Sequence, residues 1–259
     1  MEVSSVSPSE GGSTTTGGTL GSPEAGSGGS GPWRRRAQIL GWTLIWTGIL
    51  VFGYLALQVW GTDLINSQVQ AEAAESLDVT LDDARRSLPP VVEVEVEEAP
   101  TVEHFPEEAP AEGTALGMLR IPSLGLEVVV FEGVDTETLQ SGPGHMPGTA
   151  FPGQPGNAVI SGHRTTYGRP FFDFDLLVPG ERIEIETAIG AHVYEVRESF
   201  IVEPTDVWVT DDKPGGWLTF TTCNPKFSAR ERLIVTAQLV EGPNLEYVEV
   251  LEERMGQLN

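Results

Sequence analysis

An uncharged segment of roughly 24 residues, at positions 37–60, constrains the fold of this 259-residue chain more than any other feature. A helix of that length rises about 36 Å, enough to cross the roughly 30 Å hydrocarbon core of a bilayer. A core helix of a soluble domain is rarely apolar on all sides over such a length. A cleaved signal peptide would have a shorter apolar region and a small-residue cleavage site, and LQVWGTDL offers neither. The segment therefore predicts an uncleaved transmembrane helix at residues 37–60.

The charges that flank this segment predict its orientation. Arginines occupy positions 34–36, whereas the next basic residue on the other side is Arg85. Cytoplasmic flanks of membrane helices carry the excess of Lys and Arg. Residues 1–36 are therefore predicted to be a cytoplasmic tail with a basic flank, disordered because it is rich in Gly, Ser, Thr and Pro. Everything after residue 60 is predicted to lie outside the cytoplasm, in a single-pass protein of the cell membrane.

Residues 61–113 are strongly acidic. They hold 14 of the 38 acidic residues, against only Arg85 and Arg86, in a chain whose formal net charge is −23. Phosphate binding requires the opposite sign, which excludes nucleic acid as a partner. Residues 63–88 show apolar side chains at approximately helical spacing, and residues 89–113 are interrupted by prolines. We therefore predict an extracytoplasmic stalk or linker that is solvated, extended and partly helical.

From residue 114 to residue 241 the hydrophobic pattern changes to a period of two. Short runs rich in β-branched residues alternate with Gly or Pro turns, among them ALGMLRI, LEVVVFEG, NAVISGH, ERIEIET and RLIVTAQLV. Seven or eight such strands in about 130 residues predict a mainly β domain, either an antiparallel sandwich or a closed barrel. Short helical pieces are predicted at DTETLQS and FFDFDLL. Residues 242–259 are expected to be a C-terminal tail, helical or frayed.

The single cysteine, Cys223, ends the run WLTFTTC, and His163 ends the run NAVISGH in the same way. Arg230 and Arg232 precede the last strand. A thiol at a rigid strand end, beside a base and a cation, suits a nucleophile with donors for a developing oxyanion. A lone cysteine is also often a small buried hydrophobe. Zinc ligation by His145, His163 and Cys223 is a third possibility, although no C-x-x-C or H-x-x-x-H spacing supports it. Spacing alone leaves these possibilities open.

Two segments resemble the active-site signature of sortases, the membrane-anchored cysteine transpeptidases of Gram-positive bacteria. LTFTTCNPKFSARERLIV resembles T-x-x-T-C followed by a loop and an Arg that opens the last strand. NAVISGHRTTYGRPFFDFDLL resembles the segment in which the catalytic His ends a strand. GHRTTYG and GPGHMPGTAFPGQPGN are most similar to class E sortases of actinobacteria. The resemblance covers roughly residues 113–240, about half of the chain.

This resemblance implies a fold and a set of roles. The fold is a closed, eight-stranded sortase-type β-barrel, preceded here by the transmembrane helix and the acidic stalk. Cys223 is implied as the nucleophile, His163 as the acid and base, and Arg232 as the residue that holds the substrate or stabilises the oxyanion. Arg232 is preferred because it directly precedes LIV, as the family's Arg does, and Arg230 is held in reserve. Neither a cofactor nor a metal is implied.

The resemblance also predicts residues that contact the substrate. Thr222 matches the threonine before the cysteine and is expected to help order the bound acyl group. His145 and Met146 belong to GPGHM. Class E sortases often have Tyr where this chain has Met146, at a groove position linked with a preference for LAXTG over LPXTG signals. Because Met lacks the hydroxyl, both signals stay open. Tyr167 and Asp206 are expected in loops that shape the groove.

The implied reaction is cleavage of a C-terminal sorting signal, LPXTG-like or LAXTG-like, between Thr and Gly. A Cys223 thioester would then pass the protein to an amine of a peptidoglycan precursor. The partners would be secreted proteins that carry such a signal, the wall precursor and the membrane. A hydrolytic cysteine peptidase would instead release a free acid, and a catalytically silent, membrane-anchored binding module would leave the motifs unused. An L,D-transpeptidase would need S-H-G-C, which FTTC does not match.

Overall fold

The structure, a computed structural model, describes residues 32–94 and 101–257, and at residues 58–62 it describes the backbone alone. The predicted tail up to residue 31 and the linker residues 95–100 lie outside the described residues. The described residues divide into two units, with the boundary between Val51 and Phe52. Helix α1, Pro32–Ser87, is 56 residues long. Its part Pro32–Leu57 is long and apolar enough to cross a membrane, and none of that part is buried within the chain.

Eight strands of the second unit close into a barrel, which confirms the predicted eight-stranded fold. Their order around the barrel is β10-β8-β7-β3-β4-β5-β6-β9, and β1 and β2 form a separate two-stranded sheet. The strands are β1 Val92–Val94, β2 Val102–His104, β3 Ala115–Ile121, β4 Leu126–Glu132, β5 Gly144–His145, β6 Gly156–Ser161, β7 Arg182–Thr187, β8 Gly190–Val202, β9 Gly216–Asn224 and β10 Glu231–Glu241. Two further helices are α2, Thr136–Ser141, and α3, Leu245–Gln257.

The barrel is mixed, with parallel pairing at two places. Strand β4 pairs with β5 in parallel, and so does β6 with β9. Parallel neighbours need a crossover instead of a tight hairpin. Helix α2 turns the chain between β4 and β5, and the β7–β8 hairpin intervenes between β6 and β9. The second crossover matters most, because it sets the ends of β6 and β9 side by side.

Side chains two residues apart along the strands fill the interior of the barrel, where each buried aliphatic or aromatic group contributes about 1.5–3 kcal/mol. The fully buried members include Leu119, Ile121, Ile160, Ile183, Ile185, Tyr194, Leu218 and Phe220. The predicted helical piece FFDFDLL ends in a short 3₁₀ turn, Phe174–Leu176.

An aromatic plug supports the loop that follows His163. The rings of Phe171 and Phe174 are stacked with centroids 4.0 Å apart, and both meet Phe220 edge-on at 5.5 and 5.2 Å. A Cβ atom at Gly162 would overlap the Phe171 ring, so the position before His163 has no room for a side chain. The plug therefore determines how closely the histidine strand approaches the core.

The second half of α1 packs on the outside of the barrel. Leu77 and Leu81 are buried against Met118, Val129 and Phe131 of strands β3 and β4. These strands carry apolar side chains on their outer face, and covering that face removes them from water. Residues 63–87 are helical as part of α1, but one side of this helix is covered by the barrel, so the prediction that this part of the stalk is solvated and extended is wrong.

The segment around β2 packs beside α3, next to the carboxyl end of β10. The backbone N–H of Phe105 donates to Asn244 Oδ1 at 2.8 Å, and Asn244 Nδ2 donates to the Phe105 carbonyl at 3.0 Å. The ring of His104 stacks on Tyr247 with centroids 4.2 Å apart. The prediction that residues 89–113 are a solvated linker is therefore wrong for this segment. The alternation of apolar and polar residues within a segment does not show which distant part of the chain the segment packs against. The C-terminal tail is helical at residues 245–257.

Candidate active site

Three neighbouring strand ends bring the predicted catalytic residues together. In the parallel pair β6 and β9, Ser161 lies opposite Thr221. His163 is the second residue after Ser161, just past the end of β6, and Cys223 is the second residue after Thr221, within β9. The two residues therefore lie side by side on neighbouring segments that are about 4.8 Å apart. In the antiparallel pair β9 and β10, Cys223 lies directly opposite Arg232. Histidine, cysteine and arginine thus stand in a row across one end of the barrel.

All three side chains line one cavity of about 360 Å³ at this end. Its remaining walls are largely apolar and come from α2, from the segments next to it, from the 3₁₀ turn Val207–Thr210 and from β10. The apolar members include Val134, Leu139, Met146, Val209 and Ile234. The cavity contains a thiol, an imidazole and a guanidinium beside a surface that can bind an extended, mostly apolar peptide.

Burial sets the charge state of the imidazole. Partial burial lowers the pKa of His163 below its ordinary value, because the charged form loses hydration. The ring is therefore neutral at pH 7 and can accept a proton from a thiol. Tyr167, a predicted groove residue, lies outside the cavity lining but beside the histidine, with ring centroids 5.0 Å apart. It contacts His163 rather than the groove.

The structure distinguishes between the two candidate arginines. Arg232 lines the cavity, and its Nη1 donates to the carbonyls of Ala229 and Glu231, both at 3.0 Å. Its Nη2 and Nε have no hydrogen-bond partner among the described residues, so they remain free to donate to a ligand. Arg230 is 73% exposed on its side chain, pairs with Glu231 and is absent from the cavity lining.

Hydroxyl groups tie the two central strands together just below the site. Thr222 Oγ1 donates to the Gly162 carbonyl at 2.7 Å, and the hydroxyls of Ser161 and Thr221 are 2.9 Å apart. Thr222 is buried, although it contributes to the cavity wall. Its hydroxyl proton is used within the protein, so the threonine holds the cysteine strand against the histidine strand.

Of the remaining predicted substrate residues, Met146 and Asp206 line the cavity and His145 does not. His145 is fully buried; its Nδ1 lies 2.6 Å from Glu132 Oε2, and its Nε2 donates to the Ala150 carbonyl at 2.8 Å. The prediction of His145 as a groove residue is therefore wrong. Met146, which directly follows β5, lines the cavity in its place.

Ligands for zinc are not assembled at this site. The zinc hypothesis needs His145, His163 and Cys223 together, and His145 is bonded elsewhere. Within residues 32–94 and 101–257, no group of three His, Cys, Asp or Glu side chains is arranged to hold a metal ion.

One important residue was missed by the sequence analysis. Arg164 follows His163 directly, and its side chain is only 2% exposed. Its Nη1 donates to the Cys223 carbonyl at 3.1 Å and to Asn224 Oδ1 at 2.7 Å, and its Nη2 pairs with Asp175 at 2.9 Å. One guanidinium thus joins the histidine loop to the backbone of the cysteine. The only indication of Arg164 in the sequence is its place in GHR, and the sequence does not distinguish a buried arginine from an exposed one.

We expect Arg164→Met to lower the free energy of unfolding by about 1–3 kcal/mol, because the Cys223 carbonyl and the Asn224 amide lose their buried partner. Thermal unfolding of the full chain in detergent, followed by circular dichroism, measures the change. Arg230→Met is the matched control, since it removes an exposed guanidinium and should change stability by no more than about 0.5 kcal/mol. Equal melting temperatures for the two variants would contradict the bridging role of Arg164.

Comparison with known proteins places this geometry in a family. The model of the sortase domain matches residues 119–240. Sortase SrtE1 of Streptomyces coelicolor is 31% identical over 222 residues, which cover 79% of this chain and 57% of that protein. The chain thus spans little more than half the length of this curated relative. The predicted likeness to class E sortases is confirmed.

Solved structures agree with this result. The SrtF sortase from Corynebacterium diphtheriae is 29% identical, with a TM-score of 0.50 over 52% of this chain and 89% of that one. A Clostridium perfringens Sortase D5 transpeptidase shares the fold, with a TM-score of 0.52, 24% identity and coverage of 68% and 99%. The residues matched by the family model begin within β3 and end near the last residue of β10. They include each strand end that carries the thiol, the imidazole and the guanidinium, so this part of the chain is a sortase domain.

Proposed function

We propose that this chain is a cysteine transpeptidase that cleaves a C-terminal sorting signal between Thr and Gly and transfers the protein to an amine. One observation carries the proposal: His163, Cys223 and Arg232 lie on adjacent strand ends and line a single cavity. A thiol without a neighbouring base reacts slowly at neutral pH, and a base without a nucleophile forms no covalent intermediate. The three residues together supply what acyl transfer through a thioester requires.

In the first half-reaction the neutral imidazole of His163 accepts the Cys223 proton, and the thiolate attacks the Thr carbonyl carbon. Negative charge develops on the carbonyl oxygen, where the free N–H groups of Arg232 can donate to it. The tetrahedral intermediate then collapses. The C–N bond breaks, the imidazolium gives its proton to the departing Gly amine, and a thioester on Cys223 remains.

In the second half-reaction an amine enters where the Gly-bearing fragment left. It attacks the thioester carbonyl, loses a proton to His163 and forms a new amide, and the thiol is regenerated. A thioester keeps the acyl group activated toward amines, and the apolar walls of the cavity disfavour attack by water. The amine is proposed to come from the peptide of a peptidoglycan precursor.

The cavity favours an extended peptide with small or aliphatic side chains. Val134, Leu139, Met146 and Ile234 provide the apolar contact surface. Met146 is the predicted residue in the cavity wall that would contact Pro or Ala at the second position of the signal. The partners are proposed to be secreted proteins with LPXTG-like or LAXTG-like signals, and nucleic acid is excluded by the formal charge of −23.

The proposed location agrees with this reaction. The helix part Pro32–Leu57 could span a membrane, and arginines 34–36 favour a cytoplasmic amino terminus. The barrel is then outside the cytoplasm, where secreted proteins emerge and wall precursors are assembled.

The product of turnover tests the proposal. We expect the full chain in detergent, incubated with LPXTG or LAXTG peptides and triglycine, to form an acyl-enzyme and then an amide-linked product, because its cavity holds both a nucleophile and a base. Intact-protein mass spectrometry detects the first, and peptide mass spectrometry detects the second.

Controls separate the alternatives in the same experiment. Free acid as the sole product, at every triglycine concentration, would indicate a hydrolytic cysteine peptidase. Absence of both acyl-enzyme and cleavage with either peptide would favour a binding module. Dependence of the amide yield on triglycine at constant peptide consumption would establish transfer through a shared intermediate.

A further inference from the structure

Helix α1 contacts the loop that carries His163, from a position far outside the family-matched residues. Asp63 Oδ1 accepts a hydrogen bond from the backbone N–H of Gly168 at 3.1 Å, and Asp63 Oδ2 pairs with Arg169 at 3.4 Å. Both partners belong to the loop that begins at His163. One carboxylate therefore holds the loop through two contacts, although it lies 105 residues away from Gly168 in the sequence.

Amide side chains fix the position of α1 against the barrel. Asn66 is buried, and its Nδ2 donates to the carbonyls of Gln140 and Ser141, both at 2.9 Å. Gln70 accepts from the Val129 N–H at 2.7 Å and donates to the Val129 carbonyl at 3.2 Å. Hydrophobic packing alone allows a helix to slide, whereas these directional bonds define one register and so define where Asp63 lies.

The loop needs such support because its backbone is unusual. Tyr167, Gly168 and Arg169 have φ angles of 50°, 74° and 52°, which is unfavourable for the two side-chain-bearing residues. A Cβ atom at Gly168 would overlap the amide oxygen of Asn66, so the helix leaves room for glycine alone. A strained conformation persists only where its surroundings hold it, and the surroundings here are α1.

The strained residues are also the ones next to the histidine. The ring of Tyr167 is 5.0 Å from the ring of His163, and its hydroxyl accepts from Gln140 Nε2 at 3.3 Å. Gln140 in turn accepts from Asn66 through its backbone carbonyl. The histidine is therefore bordered by a closed set of contacts that runs from α1 through α2 and back through the loop.

We propose that Asp63 and Asn66 are positioning residues for His163. The part of α1 that follows the candidate membrane span then contributes to catalysis. This inference rests on the proposed function for its kinetic consequence. Loosening the loop displaces the imidazole relative to Cys223 while the walls of the cavity remain. Proton transfer then slows, and substrate binding is preserved.

Kinetics of the full chain in detergent, with an LPXTG or LAXTG peptide and triglycine, test the proposal. We expect Asp63→Ala to lower kcat about tenfold with KM changed by less than about twofold, as expected when a reacting group is misplaced. Asp63→Asn should lie between Asp63→Ala and wild type, because its amide oxygen still accepts from Gly168 while the ion pair to Arg169 is lost. Asn66→Ala should resemble Asp63→Ala.

Two controls on the same helix separate positioning from general destabilisation. Asp78 is exposed, so Asp78→Ala repeats the chemical change without the loop contact and should leave kcat unchanged. Leu77 is buried against the barrel, so Leu77→Ala should lower the melting temperature and leave kcat unchanged. Equal kcat values for Asp63→Ala and Asp78→Ala would overturn the proposal, and so would an equal loss of kcat in Leu77→Ala.

Hydrogen exchange gives a readout that does not depend on turnover. The amide of Gly168 donates to Asp63, so backbone amides of residues 164–170 should exchange at least about tenfold faster in Asp63→Ala than in Asp78→Ala. Unchanged exchange in this peptide would overturn the proposal even if the chain were an active transpeptidase. If the loop exchanges faster in Asp63→Ala but the wild-type chain shows no turnover, the result would confirm that Asp63 holds the loop. It would then count against the proposed function.

Discussion

Cys223→Ala is expected to form no acyl-enzyme with either sorting peptide and to reduce the rate of peptide cleavage by a factor on the order of 10⁴ or more. The carbon–sulfur bond is the intermediate of the proposed reaction, and no other thiol exists in the chain to form it. The measurement is intact-protein mass spectrometry after incubation with peptide in the absence of an amine. Wild type should gain the mass of the acyl fragment, and the variant should keep its own mass.

The control for this result is the fold of the variant. Cys223 is partly exposed, and the hydrogen bond from Arg164 that holds its strand end goes to the backbone carbonyl, which the substitution keeps. The substitution should therefore change the melting temperature only slightly. Cys223→Ser keeps the shape of the side chain but replaces the thiol by a much weaker acid, so it should be nearly as inactive. Cleavage at the Thr–Gly bond by folded Cys223→Ala would refute the proposed mechanism.

His163→Gln has the second-largest expected effect, a loss of about 10²–10⁴ in the rate of acyl-enzyme formation. Glutamine fills a similar volume and can form hydrogen bonds, but it can neither accept nor donate a proton at neutral pH. His104→Gln is the matched control, because it makes the same change at the far end of the barrel. Single-turnover acylation with each sorting peptide measures both variants, and equal rates would remove His163 from the mechanism.

The pH dependence of acylation offers an independent check on His163. Burial lowers the pKa of its imidazole, so the ring stays neutral to a lower pH than a free imidazole does. Acylation by wild type should therefore decline as pH falls through a value below the ordinary histidine pKa, because the protonated ring cannot accept the thiol proton. His163→Gln should lack this limb. A limb above the ordinary value would contradict the burial argument.

The reactive residues could be located from local sequence because local patterns mark the ends of strands. The period of two stops at Gly-His in one segment and at Cys-Asn-Pro in the other, and residues at strand ends are rigid and accessible. Arg232 could be selected because it directly precedes LIV, as the resemblance to the sortase signature implies. The parallel pairing that aligns His163 with Cys223 depends on two strands separated by an entire hairpin. No local pattern contains that information.

The errors have a common origin. Residues 63–88 were expected to form a solvated stalk, since their charges resemble those of an exposed helix, yet one side of the helix covers an apolar face of β3 and β4. His145 was placed in the groove with its neighbour Met146, although it is buried beside Glu132. Arg164 was overlooked because Cys223 and Asn224 lie 59 and 60 residues away from it in the sequence, and only folding brings them into contact.

The sequence by itself determined the apolar helix that can span a membrane, the strands, and the thiol, imidazole and guanidinium available for chemistry. These features follow from composition and from periodicity within a few neighbouring residues. The tertiary structure alone decided which of these groups meet, which polar groups are buried, and that the helix beginning at Pro32 supports the histidine loop through Asp63. Burial and pairing depend on contacts between distant segments, and such contacts exist only once the barrel has closed.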